Sequence, residues 1–345
     1  MSAKHITYVL TIFAVSLVAT ATAHAQYDGY GCASCGGGYG GGHGGWLGLG
    51  NDEPLVKLRG GALFLHRDRP EAKDLVARQD AFGVFPFLDA SDIGFNLETG
   101  WEAAAQVEMN CCTAFEVRYF QVDEMTSGVN FAPADGYGMI VDGGTATGIL
   151  GGAFPVSGTL LYDSNLRSAE ANLKGHIGQV SLLAGFRHVA VDELLSLNLA
   201  DTSTASNNLF YSTNNELYGF QVGIEGSLLP ADYAWQLEGV AKVGVYDNRI
   251  SSRNGNVSNF TTDSNNRLND NNTSSVAELG MAASYDLTYN LAIRVGLQLL
   301  WVNNIALASD QPIVNGVPNV DPIDTIDTSG TIFYTGIFAG FEFTH

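Results

Sequence analysis

The chain is 345 residues long and carries 16 basic against 36 acidic side chains, a formal net charge of −20, yet only 15% of it is charged and 41 residues are glycine. A typical soluble domain is about 25% charged and about 7% glycine, so this chain cannot build a richly charged surface. The acidic balance, with no basic stripe to neutralise phosphates, excludes a nucleic-acid role, and no phosphate-loop, dinucleotide or zinc-protease motif occurs.

Residues 1–25 read as an export signal, with Lys4 at its start, an apolar run from Tyr8 to Ala19, and Ala23-His24-Ala25 as a small-x-small cleavage site before Gln26. The run is shorter than the ~18 to 20 residues of a membrane-spanning helix. Residues 26–54 follow as a Gly-rich periplasmic tether, because glycine loses too much backbone entropy to pack readily. The tether holds Cys32, Cys35 and His43, one ligand short of a zinc set and without the βαβ context of a thiol oxidoreductase. In an exported chain these cysteines, with Cys111 and Cys112 further on, are disulfide candidates, and local pairs or tether-to-turn pairs are both open.

From residue 55 onward the sequence predicts a barrel domain of extended segments at about 57–67, 100–109, 113–123, 166–175, 178–190, 215–228, 233–247, 274–286, 290–305 and 331–343. The clearest is 290–305. Leu291, Ile293, Val295, Leu297, Leu299 and Trp301 share one face, while Arg294, Gly296 and Gln298 share the other, because successive strand side chains point to opposite sides. Trp101 to Met109, Tyr218 to Ile224, Tyr233 to Val245 and Ala277 to Ala283 alternate in the same way.

The connections alternate long and short along the chain. In an up-and-down meander this sorts long loops to one end and short turns to the other, as in outer-membrane barrels with short periplasmic turns and long external loops. The fold class expected is therefore all-β, an up-and-down antiparallel transmembrane β-barrel of about ten strands, within 8 to 12. Residues 251–275 and 310–328 read as solvent-facing loops, the second a solvated acidic loop with Asp310, Asp321, Asp324 and Asp327 that lacks EF-hand spacing.

With apolar faces turned to lipid, the charged faces line the interior. The lumen-facing candidates are Glu102, Glu108, Glu116, Arg118, Glu170, Lys174, Arg187, Glu225, Glu238, Lys242, Glu278, Arg294 and Glu342. Opposite charges in a narrow bore can pair across it. Two aromatic belts are expected, one from Tyr233, Trp235, Tyr285, Tyr289, Phe341 and Phe343 at the short-turn end, the other from Trp101, Tyr119 and Trp301.

An enzyme is not expected. His66 and His188 approach the external rim with Asp68, Asp192 and Glu193 close in sequence, yet no nucleophile stands at recognisable spacing from a base. His188 shares its face with Phe186 and Ala184, which places it at the lipid interface.

Four stretches carry a family likeness: Leu182-Leu-Ala-Gly-Phe-Arg-His-Val-Ala-Val-Asp-Glu193, Asn215-Glu-Leu-Tyr-Gly-Phe-Gln-Val-Gly223, Ser168-Ala-Glu-Ala-Asn-Leu173 and Cys112 to Phe120. From about Leu58 onward the chain resembles the outer-membrane β-barrel porin family described from planctomycete genomes. The resemblance implies a barrel with inferred channel activity and no catalytic residues. One departure is that the last aromatic, Phe343, lies two residues before the end, where many outer-membrane barrels finish on an aromatic.

Three functions stay open at this point. The first is a narrow porin-like channel with weak cation preference, from the surplus of Glu on the inward faces. The second is a non-conducting barrel that acts as surface anchor or adhesin, since about ten strands leave little bore. The third is a soluble secreted β-protein. No cofactor or metal is expected; the expected partners are outer-membrane lipid and small solutes, with no nucleic acid, and the expected location is the cell outer membrane.

Overall fold

A computed structural model describes residues 56–80, 82–110, 112–140, 146–177, 180–201, 206–229, 235–258, 264–311 and 325–345. The export signal, the tether with Cys32 and Cys35, Cys111, Tyr233, Asp321 and Asp324 lie outside these residues. Alternating Val, Leu, Ile and aromatic residues favour extended backbone. They give β1 (Val56–Arg67), β2 (Asp74–Asp80), β3 (Gly83–Asp89), β4 (Leu97–Asn110), β5 (Thr113–Ile140), β6 (Ala146–Ile177), β7 (Val180–Asp201), β8 (Ser206–Ser227), β9 (Trp235–Ser258), β10 (Ser264–Thr288), β11 (Leu291–Ile305) and β12 (Gly330–Thr344).

Ten of these strands close into a ring. The order is β5-β4-β1-β12-β11-β10-β9-β8-β7-β6, and β6 pairs back onto β5. First and last strands meet in antiparallel register from Lys57 opposite Thr344 to Arg67 opposite Tyr334. Gly61 faces Gly340 in that seam, where a Cβ on Gly61 would stand 2.3 Å from the Ala339 carbonyl oxygen. The hairpin β2–β3 is extra, docking on the far end of β5 with Val76 opposite Met139. Each of the ten expected segments overlaps one ring strand, and none runs more than two residues past its ends.

The strands are much longer than expected. The described residues within 124–165, 191–214 and 248–273 continue the ladder instead of forming loops, as shown by the pairs Phe131 with Gly158, Leu199 with Asn207 and Asn254 with Asn266. The reading of 251–275 as a loop is corrected accordingly for residues 251–258 and 264–275. Polar composition alone suggested a loop, but a ladder needs only paired backbone groups and a face to bury.

That face is the inner one. Near the short turns the outward side chains are apolar and exposed, among them Phe115, Leu173, Phe220, Val245, Val295 and Phe341. Higher up the pattern inverts. Leu63, Phe120, Leu166, Val191, Leu195, Leu197, Leu217, Val276 and Leu300 are buried inside the ring, while Asp192, Ser196, Asn198 and Asp247 occupy the opposite face. The switch falls where two apolar residues are adjacent, as in Tyr119-Phe120, Leu217-Tyr218, Val245-Tyr246 and Leu299-Leu300, with one of the two facing out and the other facing in. The lower storey is thus a lipid-facing barrel, and the upper storey is a turret with a core of its own.

The segment after β11 closes the turret from within. Ala306, Leu307 and Ala308 are buried among the inward side chains. The Asn215 carboxamide donates to the Ala306 carbonyl at 2.8 Å and accepts the Ala306 N–H at 2.9 Å, and Glu193 accepts the Ala308 N–H at 2.9 Å. Glu193 is held by Arg67 at 2.6 Å and by the Tyr162 hydroxyl at 2.7 Å, so the buried charge is paired and hydrogen-bonded.

Candidate functional site

Below the turret core the strands turn their charged faces inward. Arg118 on β5 reaches Glu278 on β10, the strand diametrically opposite in the ring, at 2.6 Å, and also Glu102 at 2.5 Å and Glu170 at 3.2 Å. Contacts between non-neighbouring strands can form only across the interior. Arg187 pairs with Glu278 at 2.7 Å, Lys242 with Glu170 at 2.7 Å, and Lys174 with Glu116 at 2.7 Å and Glu225 at 2.8 Å. Arg294 pairs with Glu238 at 2.6 Å and Glu342 at 3.4 Å, and His176 with Glu108 at 3.3 Å. Each of the thirteen residues proposed for the lumen takes part in one of these ion pairs.

Arg59, Lys57, His176 and Asn172 were missed by the sequence reading. Arg59 bonds Glu116 and lies 4.0 Å from Glu342, and Asn172 accepts a hydrogen bond from Gln221 at 2.8 Å. Lys57 and Arg59 flank outward Leu58, a signal that was present but was cut short by Gly60-Gly61. The addition matters for charge. Eight glutamates now face seven basic side chains, whereas the thirteen expected residues had eight against five.

Among these side chains is a cavity of about 280 Å³, with Lys57, Glu108, His176 and Ser227 toward the short-turn end and Gln298 and Phe338 deeper in. It is a vestibule with a blind upper end under the turret core. Residues 147–326, which contribute β6 to β11, match the family model described as "Putative beta barrel porin-7 (BBP7)".

The chain belongs to the beta barrel porin-7 family. The porin-7 chain is also similar to the outer-membrane protease OmpT from Escherichia coli, at 10% identity with 85% of this chain and 97% of that one covered and a TM-score of 0.50. That similarity shows the shared outer-membrane barrel fold. More distant are the Pseudomonas putida toluene transporter TodX, at 8% identity, 86% and 90% coverage and a TM-score of 0.23, and a Pseudomonas aeruginosa FadL homologue, at 10% identity, 85% and 90% coverage and a TM-score of 0.24. No curated protein matches the sequence.

The remaining candidates of this porin-7 barrel scatter. His188 stacks on Tyr218 with ring centroids 4.5 Å apart and bonds Glu216 at 2.5 Å on the outer wall. Asp192 pairs outward with Arg167 at 2.7 Å, whereas its neighbour Glu193 points inward to Arg67. Asp68 accepts the Phe333 N–H at 2.9 Å. Asp310 and Asp327 flank residues outside the described set, and burial pushes the Asp310 carboxyl up to about 6.

The aromatic belts are partly as expected. Trp235 packs on Tyr285 at 4.9 Å near the short turns and Trp101 on Tyr119 at 5.0 Å at the other edge of the apolar band. Trp301 is a correction. It is buried and stacked on Phe333 at 4.7 Å, because its small register partner Ala277 leaves room for the ring to lie against the wall. Cys112 is half-buried at the β4–β5 turn.

Proposed function

We propose that this protein is an outer-membrane barrel that is closed at rest and carries a rigid β turret away from the membrane as a surface anchor or adhesin. The observation that supports it is the apolar core spanning the ring above the charged layer, where Leu63, Phe120, Leu217 and Leu300 are 0–1% exposed and Leu307 belongs to the same buried cluster. Water and ions do not cross a dry, close-packed plug of that kind. The lipid-facing band makes outer-membrane lipid its first partner. The role is non-enzymatic, with the display surface on the turret. Export through residues 1–25 and disulfide bonding of Cys32, Cys35, Cys111 and Cys112 belong to the same reading. Liposome-swelling assays test it: purified protein should give no swelling in small sugars, and swelling at the rate of an open porin would overturn it.

The vestibule favours a second reading, a narrow channel whose turret plug moves aside. Eight glutamates against seven basic groups leave only a slight cation preference. Reversal potentials under a salt gradient would then show weak cation selectivity, and anion selectivity would exclude this reading.

A further inference from the structure

The vestibule has an unmatched group at its blind end. Gln298 lies on the inner face of β11, is 4% exposed and lines the cavity, yet neither its Nε2 nor its Oε1 has a hydrogen-bond partner. Among the described residues it is the one buried carboxamide with both atoms unpartnered. Its register partners are Gly280 and Gly336, which bring no side chain to it. A buried polar group left unpaired is costly, so a site of this kind points to something that fills it.

We propose that the blind end of the vestibule binds a peptide-type amide, recognised by the Gln298 carboxamide. Two observations select this chemistry. The nearby charges are already matched across the interior, Arg118 with Glu278 at 2.6 Å and Lys242 with Glu170 at 2.7 Å, so an ionic ligand would have to break existing pairs whereas a neutral one would not. One storey higher, the same barrel shows what a carboxamide does with a peptide: Asn215 takes both the N–H and the C=O of Ala306. Gln298 offers the same donor and acceptor.

Such an amide has two sources. One is a short free peptide entering from the short-turn end. The other is the chain's own Gly-rich stretch 28–50, which leads to Val56 at that mouth, where Val56 and His345 exchange backbone hydrogen bonds of 3.1 and 2.9 Å. Neither source depends on whether the barrel conducts.

The test uses the full chain and a 28–50 deletion in detergent, with N-acetyl-triglycine methylamide as probe, read by calorimetry and saturation-transfer NMR. Binding to the full chain identifies a free-peptide site; binding only after the deletion identifies the chain's own segment as occupant. In whichever protein binds, Gln298→Leu and Gln298→Met should each weaken binding at least tenfold while keeping the heat-dependent gel mobility of a folded barrel. An analogue with ester oxygens in place of the amide nitrogens should bind at least tenfold more weakly to the unmutated site. No binding to either protein, which leaves water alone in the pocket, overturns the proposal. So does binding that is indifferent to the ester replacement or to both substitutions.

Discussion

Arg118 and Glu278 meet at 2.6 Å across the full width of the ring, and Glu278 is shared with Arg187 at 2.7 Å. The Arg187 and Glu278 side chains are 1% and 2% exposed. Removing one partner of a buried pair leaves an uncompensated charge, at a cost of about 3–5 kcal/mol. Glu278→Ala removes the carboxylate that Arg187 pairs with and should therefore lower unfolding stability in lipid vesicles by that amount. The double change Arg187→Met with Glu278→Leu should cost clearly less, since it strands no charge: Arg118 keeps Glu102 and Glu170. Equal losses in the two variants would show that the pair is not what holds these strands together.

The inversion between storeys predicts opposite responses on the outer faces of the lower and upper storeys. Val295 is exposed on the lipid-facing band, so Val295→Arg should cost about 2–4 kcal/mol of insertion free energy. Ser196 stands on the outer face of the turret, where Ser196→Arg should change stability by less than about 0.5 kcal/mol. Leu197, its neighbour, faces inward at 0% exposure, and Leu197→Ala should cost about 2–5 kcal/mol through the cavity it leaves. Vesicle refolding titrations would measure all three, and a large effect at Ser196 would mean that lipid reaches the turret.

Much of the lower barrel was legible because strand periodicity and turn spacing act over few residues. Ten segments, the short turns and the charged faces follow from alternation alone. The turret was not legible by the same rule. At Leu217-Tyr218 and Leu299-Leu300 the apolar phase shifts by one residue, and a reader following one face takes the shift for the end of the strand. The repeated break was the available signal, since it recurs at matching height in neighbouring strands. The roles of Asn215 and Glu193 in holding residues 306–308 could not be read, because they depend on a partner 91 or 115 positions away in sequence.

Asp310 gives the plug a pH dependence. Burial raises its folded carboxyl from 3.8 to about 6, with Lys73 opposing and Asp327 and Glu193 reinforcing the shift. The native state therefore binds more protons than the unfolded state between these values, so stability falls as pH rises through that window. The contribution is fully present below about pH 4 and lost above about pH 6. Amide exchange at Ala306 and Ala308 should be slower at pH 4 than at pH 7 after correction for intrinsic rates. Asp310→Asn should abolish the difference, and a pH response that persists in this variant would assign it to another group.

Gln298 makes a separate stability prediction. An unpaired buried carboxamide costs about 1–3 kcal/mol, so in protein freed of peptide Gln298→Leu should leave the thermal midpoint unchanged or raise it. A fall of several degrees would show that Gln298 supports the wall itself.

The claim on which the rest depends is that the turret core closes the bore. Planar-bilayer recording of the purified full chain addresses it directly. A closed barrel gives insertion without steady current across the voltage range, with the folded state verified by gel mobility on the same sample. A steady, ohmic conductance in the unmutated protein would contradict the account.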